Sequence, residues 1–203
     1  MSRERESWRP GTMIYPVPAV LVSCGANPEE YNVLTVAWTG TVCSDPAMCY
    51  ISVRPERHSY EIIKRTGEFV INLTTEALAE ATDWCGVRSG RNFDKFKECG
   101  VTPEKSAIVA APSIVESPIS IECRVKQIIP LGSHDMFIGE VVNVAVDESY
   151  LDASTGKLDV EKMKLLTYAH GAYFKLGEKI GTFGWTVKGS TLRKELKHGK
   201  QKR

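Results

Sequence analysis

From Val17 to Val146 apolar residues fall in short runs broken by turn residues, the pattern of a chain built mainly from strands. The clearest run is ISIECRVK, where Ile119, Ile121, Cys123 and Val125 alternate with Ser120, Glu122, Arg124 and Lys126. This period of two predicts a half-buried strand. Further strands are predicted at Val17 to Ser23, Val33 to Thr39, Met48 to Val53, Glu68 to Leu73 and Phe137 to Val146. Several are apolar on both faces, as in a closed or well-covered sheet.

Two helices are predicted among these strands. The first, about Ser59 to Thr66, turns Ile62 and Ile63 inward, starts at the polar pair His58 and Ser59, and has Gly67 placed to stop it. The second, about Glu76 to Cys85, has Ala77, Leu78, Ala81, Trp84 and Cys85 at helical spacing, with Glu76 in the first turn and Gly86 after its end. A third, short helix is predicted over Val160 to Leu166. Short strands with few helices indicate a mainly β fold, a barrel rather than a doubly wound sheet.

The chain's 203 residues suffice for one domain with a proper core. We divide it into a charged arm (1–12), a core domain (13–186) and a basic tail (187–203). With 26 basic and 25 acidic residues, overall charge nominates no polyanionic partner. From Lys188 onward, however, seven Lys and Arg face only Glu195, which predicts a solvated tail, weak acidic-partner or nucleic-acid contact being the lesser reading. The opening MSRERESWRPG has no apolar stretch behind it, so neither a secretory signal nor a membrane anchor is expected. Six cysteines (24, 43, 49, 85, 99 and 123) lie scattered without a CxxC pair, which fits a reduced, cytoplasmic protein with thiols buried as small hydrophobes. No His, Cys and carboxylate set has metal-ligand spacing.

Chemistry concentrates in ISVRPERHSYEIIKRTGEFVINL, Ile51 to Leu73. A strand that includes Ser52 ends at Val53, a Pro-containing turn carries Arg54 and Arg57, and a helix opens at His58 and Ser59. Helix-start amides carry partial positive charge, and guanidinium forks match phosphate oxygens, so together they describe a phosphate receptor. Taken alone, the stretch reads equally as an ordinary cap beside two solvent-facing arginines.

The preceding segment NVLTVAWTGTVCSDP, Asn32 to Pro46, resembles the one that lines the flavin ring in FMN-binding split barrels, with Asn32, Thr35, Val36, Ala37 and Trp38 along it. SGRNFDKF resembles that family's loop after the second helix, where Ser89, Gly90, Arg91 and Lys95 would approach the cofactor. GSHDMFIGEVV, Gly132 to Val142, resembles the Gly-Asp-His segment of nicotinamide-using members, and YFKLGEKIGTFGW resembles the closing segment of flavoredoxin-like members. From about Met13 to Trp185 the chain is therefore similar to the flavin reductase-like family, flavoredoxins included. The resemblance implies a Greek-key split β-barrel, bound FMN, and a homodimer whose pockets lie where two barrels meet.

The resemblance also implies redox chemistry, with phosphate held by Arg54, Arg57, His58 and Ser59 and flavin potential raised by donors such as Thr35 and Lys95. His134 would face a nicotinamide donor, NADH or NADPH, or else be an ordinary turn histidine. Many relatives have Asp before that histidine; here Ser133 stands there and the acid is displaced to Asp135. This departure leaves two expectations open: a reductase passing electrons from nicotinamide through FMN to an acceptor, and an electron carrier that exchanges them with a redox protein. A pyridoxamine-phosphate oxidase relative is a rival at the cofactor level. Trp38 is read either as a barrel-core aromatic or as a cofactor-side residue.

Overall fold

The computed structural model describes residues 3–187. In chain order its elements are β1 (Val17–Pro18), β2 (Val20–Cys24), β3 (Asn32–Val36), β4 (Thr39–Ser44), β5 (Ala47–Val53), α1 (His58–Thr66) and β6 (Glu68–Asn72). There follow α2 (Ala79–Val87), α3 (Lys95–Cys99), β7 (Pro103–Glu104), β8 (Ser113–Ile114), β9 (Ile119–Pro130), β10 (Asp135–Val146), β11 (Leu166–Ala169) and β12 (Ala172–Lys175). Seven strands form one antiparallel sheet in the order β3-β2-β6-β9-β10-β5-β4, and β1, β11 and β12 form a second. Just before β4 the Trp38 carbonyl accepts from the Ser52 amide at 2.9 Å, which extends the β4–β5 ladder into the bend that links β4 to β3, the strand at the opposite edge of the sheet. The result is mainly β, as the strand pattern indicates, and a split β-barrel, as the resemblance implies.

The barrel interior is filled by Phe69, Phe137, Ile51, Ile63 and Val22, all fully buried. Gly139 of β10 makes room for the largest of them, since a β-carbon there would lie 2.8 Å from Phe69 Cζ. A second cluster, Leu21, Val33, Leu78, Cys85 and Phe96, seats α2 and α3 on the outer face of β2 and β3. Every β2 residue is buried because this strand is covered on both sides.

Helix α1 ends at Gly67, whose φ of 69° lets its amide reach the Ile63 carbonyl at 2.8 Å. Four expectations need correction. Helix α2 runs past Gly86 to Val87; Gly86 is a packing position, where a β-carbon would stand 3.4 Å from Thr35 Cβ. The strand predicted through Thr39 stops at Val36, and Ala37 and Trp38 form a bend. No helix covers 160–166: the chain makes turns there, Lys164 has φ 50°, and Leu166 is drawn into sheet pairing, its amide donating to the Thr74 carbonyl at 2.9 Å. Finally, the polar face of β9 is covered in its first half, where Ser120 and Glu122 are buried, while Arg124 and Lys126 stay exposed as expected. Glu122 accepts from the amides of Ala107, Ile108 and Val109 at 3.0, 2.7 and 3.0 Å and from Asn143 Nδ2 at 2.7 Å, so its charge is met by a folded-over loop. Strands β4, β7, β8, β11 and β12 and helix α3 were not anticipated; the basic tail from residue 188 onward lies outside the described residues.

Candidate functional site

No side chain caps α1, and while the Arg57 carbonyl takes the Tyr60 amide at 3.0 Å, the amides of His58 and Ser59 are left to a ligand or to water. They open into a cavity of about 410 Å³ that collects four cations from distant parts of the chain: Arg57, Arg88, Arg91 and Lys95. Among the described residues lining it, the single carboxylate is Glu56. That carboxyl is held below its ordinary value by a hydrogen bond from its own amide and by Arg54. An excess of cations beside uncapped helix amides suits a phosphate dianion.

The walls are fixed by a few contacts. Asn32, buried on β3, donates from Nδ2 to Ser59 Oγ at 2.6 Å and so ties the strand to the first turn of α1. Arg91 Nη1 donates to the Glu56 carbonyl at 3.3 Å, and the Arg91 amide to Ser89 Oγ at 3.3 Å. Between them Gly90 presses its backbone against β3 and α1, and a β-carbon there would meet Asn32 Oδ1 at 2.1 Å and His58 Cδ2 at 3.0 Å. Lys95 is buried and donates to the Cys85 carbonyl at 2.7 Å, which leaves two ammonium hydrogens for the cavity. Burial lowers its pKa. Burial, with Arg91 and Lys95 nearby, also lowers that of His58, so at neutral pH this imidazole is an uncharged donor or acceptor.

Past Leu34, Thr35 and Arg57, which both share, lies a second cavity of about 140 Å³. Its walls are Val36, Ala37, Trp38 and Ser52, with Arg54 and His134 at the rim. The bend after β3 leaves Trp38 half-buried at this cavity rather than in the barrel core. The Thr35 hydroxyl donates to the Thr82 carbonyl, so its proton is engaged on α2 and it meets a ligand as an acceptor, contrary to the donor role expected of it. His134 Nδ1 lies 2.9 Å from Ser133 Oγ. Burial and Arg54 lower its pKa, and a serine, unlike an aspartate, does nothing to hold an imidazolium. Asp135 turns away from the cavity and accepts from the Tyr60 hydroxyl on α1.

The structure thus brings Asn32, Arg57, His58, Ser59, Ser89, Gly90, Arg91 and Lys95 around one cavity and Val36, Ala37, Trp38, Ser52, Arg54 and His134 around its neighbour, with Thr35 between. Arg88, Gly86 and Glu56 were missed by sequence reasoning, although Arg88 directly precedes the SGRNFDKF segment and its charge was a usable signal. Among the described residues no group of three or more His, Cys, Asp or Glu could hold a metal ion.

The fold and the two cavities define a class, the split β-barrels that carry a cationic cavity at a helix start beside an aromatic-edged cleft. More narrowly, the chain belongs to the flavin reductase like domain family, whose model matches residues 12–177. Flavoredoxin of Desulfovibrio vulgaris (Miyazaki F) is 31% identical with a TM-score of 0.83, covering 91% of this chain and 100% of that one. Flavoredoxin from Methanosarcina acetivorans is 26% identical with a TM-score of 0.82, covering 94% and 100%. An FMN-binding protein from Thermus thermophilus, 23% identical with a TM-score of 0.74 over 90% of this chain and 99% of its own, shares the fold.

Proposed function

We propose that this chain binds FMN and works as a flavin reductase-type oxidoreductase that takes electrons from NADH or NADPH and passes them to an acceptor. The carrying observation is that two neighbouring cavities share Leu34, Thr35 and Arg57: the cationic one suits a phosphate, and the one edged by Trp38 suits a flat ring. Arg57, Arg91, Ser59, Ser89 and the α1 amides would hold the phosphate, and Gly90 lets the loop backbone come close. Ala37 and Trp38 would flank the ring and limit water, while Lys95 places positive charge near the cofactor. Bound flavin supplies the hydride and electron-transfer chemistry; the protein supplies position and field. The test is the visible spectrum of the purified protein, recorded again after NADH, NADPH or a reduced ferredoxin. A colourless protein that takes up no FMN rejects the reading.

A second reading, an electron carrier with tightly held FMN, is favoured by the rim of the smaller cavity. Its histidine is paired with a serine, and the neighbouring acid is committed to Tyr60. Rapid reduction by ferredoxin with no response to nicotinamides selects it.

We also propose a homodimer, supported by large apolar side chains left exposed at Phe174, Leu176, Ile180 and Phe183. A monomer by light scattering that still holds FMN overturns it. A cytoplasmic location is supported by the six free cysteines.

A further inference from the structure

Cys85 and Cys99 stand with their sulfurs 3.2 Å apart, and both are free thiols. Cys85 lies within α2 and forms part of the wall of the cationic cavity. Cys99 is the last residue of α3, which Gly100 ends with φ 62°. The stretch between the two cysteines carries Arg88, Ser89, Gly90, Arg91 and Lys95, the anion-facing side of the cavity. A second pair, Cys49 and Cys123, has its sulfurs 3.4 Å apart, but both are buried in the barrel core. Cys99, by contrast, is partly exposed, so its pair offers a sulfur that an oxidant in water can reach.

We propose that Cys85 and Cys99 form a reversible dithiol–disulfide site, oxidised by a hydroperoxide, whose closure ties together the two ends of the anion-binding loop. A disulfide needs sulfurs about 2.0 Å apart, so the observed pair must close by roughly 1 Å, a movement that the short α3 beside Gly100 can supply. The Cys99 thiolate attacks one oxygen of hydrogen peroxide; the O–O bond breaks, and hydroxide leaves and is protonated to water, giving a sulfenic acid. Cys85 sulfur then attacks the sulfenic sulfur, the S–O bond breaks, and the departing hydroxyl takes the Cys85 proton as a second water. Two thiols are oxidised and one peroxide is reduced. Burial raises the pKa of both thiols, so thiolate is scarce and oxidation slow, while the nearby Lys95 ammonium works in the opposite sense.

The cross-link stands independently of the cofactor; its effect on cofactor release rests on the FMN reading. The test treats the full-length protein, with and without added FMN, with hydrogen peroxide, then alkylates free thiols, digests it without reductant and maps the peptides by mass. Expected are a peptide pair joined through Cys85 and Cys99, its reversal by dithiothreitol, Cys49 and Cys123 recovered as free thiols, and no cross-link in Cys99→Ser or Cys85→Ser. Oxidised protein should release FMN about threefold to tenfold more slowly than reduced protein, because the loop is held in its binding arrangement. Peroxide-treated, folded protein without the cross-link overturns the site. A cross-link with unchanged FMN release overturns the coupling to the loop, and a cross-link in protein that never binds FMN counts against the cofactor reading and supports the thiol site.

Discussion

Gly90 has no side chain because Asn32 occupies its place: a β-carbon on Gly90 would fall 2.1 Å from Asn32 Oδ1. Asn32 cannot simply swing aside, since it is buried and its amide holds Ser59 Oγ at 2.6 Å. Gly90→Ala should therefore push the loop off α1 or break the Asn32–Ser59 bond. Overpacking of this kind costs about 1–3 kcal/mol, which, if it falls on the bound form, weakens FMN binding by roughly tenfold to a hundredfold. Fluorescence titration of FMN measures it. Because the clash is specific, Asn32→Ser in the Gly90→Ala background should recover part of the loss, a non-additivity that distant sites do not show.

Arg57 lies where the two cavities meet. Arg57→Ala removes a charge-assisted contact from the proposed phosphate, for a loss of about 1.5–3 kcal/mol of binding. Raising the salt concentration should narrow the gap between wild type and variant, because much of the contact is screened at this exposed position. Unchanged affinity takes Arg57 out of the site.

Much of this arrangement was legible in the sequence. The strand-turn-helix of Ile51 to Thr66 announced itself by a β-run, a proline turn and the Gly67 stop, all local signals. The first half of the polar face of β9 was misread because alternation cannot tell water from a loop folded over the strand, and Glu122 is met by amides fifteen, fourteen and thirteen residues away. Val160 to Leu166 failed for a similar reason: pairing of Leu166 with Thr74, remote in sequence, overrode a short helical pattern. Residues lining the cavities were recoverable where they clustered, as at Ser89 to Lys95. Thr35's engagement with Thr82, or Asp135's with Tyr60, depends on packing that no spacing encodes.

His134 stands at the rim of the smaller cavity, paired with Ser133. If nicotinamide docks there, His134→Ala should lower kcat/KM for NADH or NADPH by about tenfold or more, the loss expected for a positioned donor of roughly 1.4 kcal/mol, while FMN affinity stays within about twofold. Ser133→Asp should move the His134 pKa upward, since a carboxylate favours the imidazolium; histidine NMR reads this directly. Equal nicotinamide kinetics in wild type and His134→Ala would take His134 out of the reaction, and no nicotinamide reaction in either would favour the carrier reading.

Glu122 gives a prediction about pH that is independent of any ligand. Burial opposes its charge, but Asn143 and three backbone amides outweigh burial and hold its pKa below the ordinary carboxylate value. A carboxyl whose folded pKa is depressed contributes stability that is fully present above the unfolded value and lost as pH falls through the folded one. Glu122→Gln keeps the size but replaces one acceptor oxygen with a donor that faces amides already donating, so it should cost about 1–3 kcal/mol at pH 7. Urea unfolding of wild type and variant should give midpoints that are well separated at neutral pH. As the pH falls through the lowered pKa of the folded state, the wild-type carboxyl takes up a proton, becomes as poor a partner for three donors as the amide, and the midpoints should converge. A separation independent of pH would mean that Glu122 acts by shape alone and that its charge contributes nothing to the seating of the 107–109 loop on the sheet.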